Sequence, residues 1–135
     1  MVVKKPWGQY EVLEHKVEGR ENIDRDEGPL YVVPDYPRIP AQVVKRITIN
    51  PGQRISLQRH KKRCEHWFIV KGIGVVTIRG FELNTKAGRS HDIFEYDWHR
   101  IANTGTEPLV LIEVQYGSVC SEDDIERKED DYGRV

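Results

Sequence analysis

Hydrophobic and polar residues alternate along much of the chain after residue 42. Residues 43–49 read Val-Val-Lys-Arg-Ile-Thr-Ile, and residues 109–116 read Leu-Val-Leu-Ile-Glu-Val-Gln-Tyr. Short runs rich in β-branched residues that end at glycine or proline turns are typical of β-strands. The pattern predicts strands over residues 9–13, 43–49, 54–60, 65–70, 74–79, 81–83, 90–94, 98–103 and 109–116. Many short strands with regularly spaced turns indicate an all-β sandwich or barrel.

The two ends of the chain are less regular. Residues 14–28 are polar and charged without a period, which predicts an exposed loop. Residues 30–40 contain three prolines, which favours an edge strand or irregular cover because proline cannot donate to a sheet. In the tail, Ser121 could cap one helical turn, and a frayed, solvated end is the alternative. We expect a single domain, with an N-terminal strand and covering loop (1–40), a barrel core (41–117) and a tail (118–135).

Composition narrows the functional class. The chain has 135 residues and a net charge of −1, which suits one domain and gives no basic face for nucleic acid. Two cysteines far apart form no disulfide framework, so free thiols in a reducing compartment are expected. The sequence shows no signal-peptide pattern and no apolar run of membrane-spanning length. A soluble cytoplasmic protein with neither nucleic-acid nor membrane partners is therefore the expectation.

Strand alternation places several polar side chains together. Residues two apart on a strand point to the same face, so Ser56 and Gln58 share a face with His60. On the last strand, Glu113 and Gln115 continue a row that also contains hydrophobic residues. Because buried polar groups need partners, a row of this kind indicates a polar cavity.

Four residues in this pattern carry nitrogen or oxygen donors suited to a divalent metal. Gln58, His60 and Glu65 lie on successive predicted strands, and His99 must arrive from a later one. Taken singly, Glu65 fits a cross-strand salt bridge and Gln58 an exposed strand position. The combination favours a metal site. His15 and His91 are instead expected to be ordinary surface or core histidines.

These residues also resemble a known family. Gly52, Gln58, His60, Glu65 and Gly72 have the spacing of the first cupin motif. Gly88, His99 and Asn103 have the spacing of the second. Longer segments resemble the type II mannose-6-phosphate isomerase domain. In larger relatives that domain follows a mannose-1-phosphate guanylyltransferase domain. The segments that carry the resemblance are residues 5–8, 44–47, 56–58, 63–67, 113–117, 122–125, 127 and 131–134.

The resemblance implies a fold and an activity. The fold would be the cupin double-stranded β-helix, a jelly-roll barrel. Its metal ligands would be Gln58, His60, Glu65 and His99, with Zn, Mn, Co, Ni or Fe as the ion. The activity would be interconversion of mannose 6-phosphate and fructose 6-phosphate, in nucleotide-sugar and polysaccharide-precursor metabolism. Because cupins commonly pair through strand edges, a homodimer is expected.

Individual roles can be assigned on the same basis. Arg63 occupies the place of an arginine tied in the family to isomerase activity, and we expect it to clamp the phosphate. Glu113 is our choice for the base that moves the carbon-bound proton, with a structural partnership to Lys45 or Arg46 as the alternative. Further expected substrate-binding residues are Lys45, Ser56, Lys62, Gln115, Arg127 and Arg134.

Three departures from the family pattern leave other functions open. Lys62 stands where the family usually has histidine, and Phe94 and Tyr96 replace a usual proline and glycine, which predicts a reshaped turn before His99. Residues 14–40 are longer than the corresponding family loop. These features favour a non-catalytic sugar-phosphate-binding module as one alternative, and another metal-cupin enzyme, such as an oxygenase, is a second. No glycine-rich nucleotide-binding segment occurs, so nucleotidyl transfer is not expected.

Overall fold

The computed structural model describes residues 1–16 and 41–135. In this part of the chain all regular structure is β-strand; there is no helix, and hence none long and apolar enough to cross a membrane. The strands are β1 (Val2–Lys5), β2 (Gly8–Lys16), β3 (Ala41–Ile49), β4 (Leu57–Arg59), β5 (Arg63–Lys71), β6 (Ile73–Ile78), β7 (Phe81–Lys86), β8 (Ser90–Ile93), β9 (His99–Asn103), β10 (Leu109–Gly117) and β11 (Glu126–Glu129).

The strands form two antiparallel sheets. The six-stranded sheet has the order β1-β2-β3-β10-β5-β8, and the five-stranded sheet has the order β11-β4-β9-β6-β7. Neighbours in the sheets are often distant in sequence, as with β3 and β10. The all-β architecture predicted from the alternating pattern is confirmed.

The alternation itself explains the central strands. In β3 and β10 every second residue is buried, and the two strands pair from Leu109↔Ile49 to Gly117↔Ala41. Residues directly opposite on antiparallel strands project from the same face. One face of each strand therefore lies inside the barrel, and the other is partly or fully exposed.

The core fills one part of the space between the sheets. Ile69, Leu109 and Leu111 come from the six-stranded sheet, while Val76 and Ile101 come from the five-stranded sheet. All five are at most 1% exposed. Burying each such side chain contributes roughly 1.5–3 kcal/mol to folding, so this cluster supplies much of the stability.

The predicted strands differ from the observed ones by one to three residues at one or both ends, and two of them differ most. The predicted strand at 9–13 is the middle of a longer strand, β2, which forms a hairpin with β1. The predicted strand at 54–60 is regular only over Leu57–Arg59, with a single bridge between Arg54 and Ala102. Residues 14–16, assigned to a loop from the sequence, belong to β2. The rest of that loop and the edge strand proposed for 30–40 lie outside the described residues.

The tail is ordered, and it begins with a single turn: the Ser121 hydroxyl accepts from the Asp123 amide at 3.1 Å, and the Ser121 carbonyl accepts from the Asp124 amide at 3.1 Å. Residues 118–135, here called the C-terminal strap, pair with β4 through β11. The Asp124 carboxylate accepts hydrogen bonds from the backbone amides of Lys61 and Lys62, at 3.0 and 2.9 Å. The Tyr132 hydroxyl donates to Gln53 Oε1 at 2.6 Å. The frayed end was therefore the wrong alternative, and β11 was not predicted because its partners are remote in sequence.

Candidate metal centre

The inner face of the six-stranded sheet becomes polar toward one end of the barrel. The pairing of β10 with β5 sets Glu113 beside Trp67 and Gln115 beside Glu65. Both glutamates and Gln115 are at most 5% exposed. Gln115 Nε2 donates a hydrogen bond to Glu113 Oε1 at 2.6 Å. The row of polar side chains predicted on the last strand therefore points into the barrel.

The facing sheet supplies a matching row. Gln58 on β4 lies opposite His99 on β9, and Arg127 on β11 lies opposite Gln58. Because opposite residues share a face, the three side chains follow one another across the inner surface of the sheet. Gln58 and Arg127 both line a pocket at this end of the barrel.

Two histidines and a glutamate form the centre of the site. Glu65 Oε2 lies 3.2 Å from His60 Nε2, and Glu65 Oε1 lies 3.6 Å from His99 Nε2. One donor atom from each residue falls within 4.8 Å of the others. All three side chains are at most 2% exposed. This is a compact nitrogen and oxygen donor set of the kind that holds Zn²⁺ or a similar ion.

Hydrogen bonds at the far side of each imidazole orient the rings. His60 Nδ1 donates to the Asp124 carbonyl at 2.6 Å, and His99 Nδ1 donates to the Asp97 carbonyl at 2.7 Å. A proton on Nδ1 leaves Nε2 unprotonated, which is the form of the nitrogen that binds a metal. Burial lowers the pKa of His60 to about 4 and also lowers the pKa of His99. Both rings are therefore neutral at pH 7, as metal ligation requires.

The nitrogen Nε2 of His99 indicates that these three residues suit a metal ion. His99 Nε2 is buried and has no hydrogen-bond partner among the described residues. Buried polar atoms are nearly always satisfied, so an exception in a cluster of donors points to a missing partner. An ion held by His60, Glu65 and His99 would satisfy it. Gln58, directly opposite His99, is the expected fourth donor.

Trp67 joins the central carboxylate to a second one. Its Nε1 donates to Glu65 Oε1 at 3.1 Å and to Glu113 Oε2 at 3.0 Å. The sequence places Trp67 two residues after Glu65 on the same strand, so both side chains point to one face. That Trp67 bonds both carboxylates was nevertheless not predicted. Burial opposes ionisation of Glu65, yet Arg63 and the histidines hold the Glu65 pKa well below its usual range. Burial and the nearby Glu65 raise the pKa of Glu113.

Arg63 lies inside the site but is already engaged. Its Nε donates to Glu65 Oε2 at 2.9 Å, and Nη1 donates to the Ser121 carbonyl at 2.8 Å. Nη2 lies 3.3 Å from His60 Nε2. Arg63 is 5% exposed. These contacts argue against the expected phosphate clamp, because the guanidinium is turned toward the candidate metal ligands Glu65 and His60.

The pocket beside this centre contains most of the expected substrate-binding residues. Its cavity volume is about 80 Å³, below the roughly 300–1,000 Å³ of most small-molecule sites, so a ligand bound there would also occupy the open mouth. Its lining includes residues from the β1–β2 hairpin and the C-terminal strap. Single residues of the strap were expected there, but neither the hairpin nor the strap was predicted to form one side of the pocket. The lining residues named from the sequence are Lys45, Ser56, Gln58, Arg63, Glu65, Glu113, Gln115, Arg127 and Arg134.

Two lysines that were expected to bind substrate, Lys62 and Lys45, differ in their position relative to the pocket. Lys62 is exposed and is not part of the pocket lining, and its backbone amide donates to the Asp124 carboxylate. The prediction that Lys62 contacts substrate has no support from this position. Lys45 does line the pocket, but its ammonium group is paired with Glu122 and lies over the Tyr10 ring.

The turn before His99 contains a residue with a positive φ. Tyr96 has φ 67°, in the left-handed region that favours glycine. Its amide donates to the His60 carbonyl at 2.8 Å, and the Asp97 carboxylate accepts from the Phe94 amide at 3.0 Å. These bonds hold the backbone that positions Asp97 and His99.

The comparisons with known proteins agree with this geometry. A family model described as "Mannose-6-phosphate isomerase C-terminal" matches residues 35–130. The chain belongs to this family. It is 50% identical over 92 residues to the alginate biosynthesis protein AlgA of Pseudomonas aeruginosa, a match that covers 68% of this chain and 19% of AlgA.

A second relative matches nearly the whole chain. The mannose-1-phosphate guanylyltransferase ManC of Salmonella typhimurium is 38% identical over 133 residues, covering 98% of this chain and 23% of ManC. The chain therefore spans about a fifth of the length of these curated relatives. A crystal structure of a cupin protein from Bacteroides fragilis superposes with a TM-score of 0.53 at 22% identity, covering 60% of this chain and 70% of that one. The fold is the cupin double-stranded β-helix, and the resemblance seen in the sequence is confirmed.

Proposed function

We propose that this chain is a metal-dependent sugar-phosphate isomerase that interconverts mannose 6-phosphate and fructose 6-phosphate. The observation that carries the proposal is the buried, unpartnered His99 Nε2 beside His60 and Glu65. Family membership supports the substrate. His60, Glu65, His99 and Gln58 would hold the ion. Bound there, the ion would act as a Lewis acid that stabilises negative charge developing on the sugar oxygens.

The chain's own residues account for the proton movements. Aldose–ketose isomerisation moves one proton from C2 to C1 and one hydroxyl proton from O2 to O1, so no other reactant is needed. Glu113 is the proposed base for the carbon-bound proton, because its carboxylate lies in the pocket lining next to the ligand Glu65. The O2 proton can pass directly to O1, since these oxygens are on adjacent carbons.

Neighbouring side chains would hold the reacting groups in place. Trp67 and Gln115 each donate a hydrogen bond to Glu113, which fixes its carboxylate plane. Arg63 holds Glu65 from the other side. The proposed role of Arg63 is therefore to position a metal ligand and to place positive charge near the sugar oxygens.

Turnover with added metal tests the proposal. The metal-free chain is supplied in turn with Mn²⁺, Co²⁺, Zn²⁺, Ni²⁺ or Fe²⁺, and conversion of mannose 6-phosphate is followed by NMR. Activity is expected with at least one ion and should be lost in His99→Asn. It should be kept in His91→Asn, a matched control whose ring bonds Thr85 away from the site. A folded, metal-loaded chain that gives no turnover would contradict the proposal.

The same experiment separates the alternatives. Lys62, which favoured a non-catalytic module, lies outside the pocket lining. Sugar-phosphate binding without turnover would favour the binding module, and oxygen consumption with iron would favour an oxygenase. The homodimer and the cytoplasmic location stay predictions; a sizing column tests the first.

A further inference from the structure

The two histidines of the site are oriented by different parts of the chain. The carbonyl that accepts from His99 Nδ1 belongs to Asp97, two residues earlier. The carbonyl that accepts from His60 Nδ1 belongs to Asp124, 64 residues later, in the C-terminal strap. His99 therefore has a local partner, whereas the partner of His60 is in place only when the strap lies across the barrel.

The surroundings of His60 Nε2 show why the strap matters to this ring. Glu65 Oε2 lies 3.2 Å from that nitrogen and would accept its hydrogen bond if the proton were there. A neutral imidazole carries one ring N–H, so the Asp124 carbonyl and the Glu65 carboxylate compete for it at the two nitrogens. Only the form with the proton on Nδ1 leaves Nε2 able to bind a metal.

The side chain of Asp124 holds the competing carbonyl in place. Its carboxylate accepts hydrogen bonds from the backbone amides of Lys61 and Lys62, at 3.0 and 2.9 Å. These are the two amides that follow His60 directly in the chain. Bonds from amides to an ionised carboxylate are stronger than neutral ones, so they fix the Asp124 carbonyl relative to the His60 ring.

A turn in the strap connects Asp124 to Arg63. The Ser121 carbonyl accepts from the Asp124 amide at 3.1 Å and from Arg63 Nη1 at 2.8 Å. Arg63 Nη2 in turn lies 3.3 Å from His60 Nε2. Because a guanidinium has donors and no acceptor, this contact is favourable only when Nε2 carries no proton. The strap thus favours the metal-binding form of His60 at both ring nitrogens.

We propose that Asp124 is a positioning residue that sets the metal affinity of the centre by keeping the His60 proton on Nδ1. The inference rests on the metal site of the proposed function but not on the isomerase reaction. Asp124 acts through His60 and is not part of the pocket lining. Since the strap completes one ligand of the ion, docking of the strap and binding of the metal stabilise each other.

Zinc affinity tests the role of the Asp124 carboxylate. Zn²⁺ binding to the full chain is measured by competition with a chromophoric chelator. Asp124→Ala removes both amide bonds and should weaken binding about 10–100-fold, the usual effect of losing a partner that orients a metal ligand. Asp124→Asn keeps one acceptor oxygen and should weaken it less. Asp123→Asn is the matched control, because it removes the same charge from an exposed side chain one residue away; it should bind as the wild type does.

Nitrogen-15 NMR of the metal-free chain measures the position of the ring protons directly. In the wild type, both His60 and His99 should be protonated on Nδ1. In Asp124→Ala, part of the His60 population should carry its proton on Nε2, whereas His99 should not change because its partner is the local Asp97 carbonyl. This comparison separates positioning from a general loss of stability, which would affect both rings.

The two measurements keep this inference separate from the proposed function. If the wild type bound no metal, the proposed function would fall, and the ring protons would still decide the role of Asp124. Should Asp124→Ala fail to fold, Asp124→Asn must show the same two changes at smaller size. Folded variants that keep the His60 proton entirely on Nδ1 would overturn the inference, even with weaker Zn²⁺ binding, since the loss would then come from charge alone.

Discussion

The two ends of the barrel interior are built from the same strands and serve opposite purposes. On β10, Leu109 and Leu111 are completely buried in the apolar cluster, and the next two inward residues are Glu113 and Gln115. On β9, Ile101 belongs to the apolar cluster and His99 to the metal centre. A shift of two residues along a strand therefore separates packing from chemistry.

The two ends differ in whether their buried side chains contain polar atoms that need hydrogen-bond partners. At the apolar end, burial itself stabilises the fold. At the polar end, every buried donor or acceptor must find a partner, and nearly all of them do. The described residues contain two buried side-chain atoms without a partner, His99 Nε2 and Arg127 Nε. Both lie at the polar end, in the row that contains Gln58, which marks that row as the place for ligands.

The largest expected effect is at the polar end, where a substitution of Glu113 should lower the isomerase rate without lowering the stability. Glu113→Gln keeps the shape and a hydrogen-bond acceptor for Trp67 but removes the base. The isomerase rate should fall by about 10²–10⁴-fold, the usual contribution of a general base. Unfolding free energy should be kept or should rise, because burial of this carboxylate beside Glu65 works against folding. NMR turnover and chemical denaturation measure the two quantities.

The exposed residue Glu95 provides the matched control for this substitution. Glu95→Gln should leave both quantities at their wild-type values. Full activity in Glu113→Gln would assign the proton transfer to another group.

The converse effect is expected at the apolar end. Leu111→Ala removes a completely buried side chain and should lower the unfolding free energy by about 3–5 kcal/mol. Metal affinity, measured on the folded variant, should stay close to that of the wild type. Leu83→Ala, at a position 49% exposed, should change stability little. If Leu111→Ala weakened metal binding as much as His99→Asn, the two ends could not be treated as separate.

Acid should loosen the strap that covers the polar end. The Arg134 guanidinium lowers the pKa of Asp130 to about 2. Because this pKa is depressed on folding, the stabilisation is present above the ordinary Asp pKa and is lost as pH falls from about 4 toward 2. The melting temperature of Asp130→Asn should lie below that of the wild type at pH 7, and the gap should narrow in this range.

Asp123→Asn serves as the control for the strap, since Asp123 is exposed and its carboxylate is not part of the Asp130–Arg134 pair. It should show no such pH-dependent gap. A gap between Asp130→Asn and the wild type that is constant from pH 7 to 3 would mean that the ion pair does not stabilise the strap.

The smallest effect concerns the turn that positions His99. A left-handed conformation costs a residue other than glycine roughly 1–2 kcal/mol. Tyr96→Gly should therefore be more stable than Tyr96→Ala by about 1 kcal/mol, whereas glycine is usually the less stable of the two. Denaturant unfolding of both variants measures the difference. A more stable alanine variant would show that residue 96 is not left-handed.

The apolar end and the ligand positions were accessible from the sequence because both depend on local patterns. Alternation in β3 and β10 gave the inward faces, and motif spacing named His60, Glu65 and His99. The strap was missed since β11 reads Glu-Arg-Lys-Glu, with no hydrophobic alternation. It is held by backbone pairing and by ion pairs such as Arg59 with Glu126, 67 residues apart.

Hydrogen bonds to residues remote in sequence also determine what individual side chains do in the site. Nothing local indicates that the Ser121 carbonyl would accept from Arg63, or that the Asp124 carbonyl would orient His60. Arg63 was therefore assigned to phosphate from the family resemblance and its planar guanidinium. Its bond to the Ser121 carbonyl forms only when the strap, 58 residues later, folds across the barrel.

The central claim is that four donors at the polar end hold one divalent ion. A crystal structure of the metal-loaded chain, with anomalous difference maps at the metal edge, tests it most directly. The account predicts one strong peak bonded to His60 Nε2, a Glu65 oxygen, His99 Nε2 and Gln58. Absence of a peak at this position in protein that carries stoichiometric metal, or a peak bound to other residues, would contradict it.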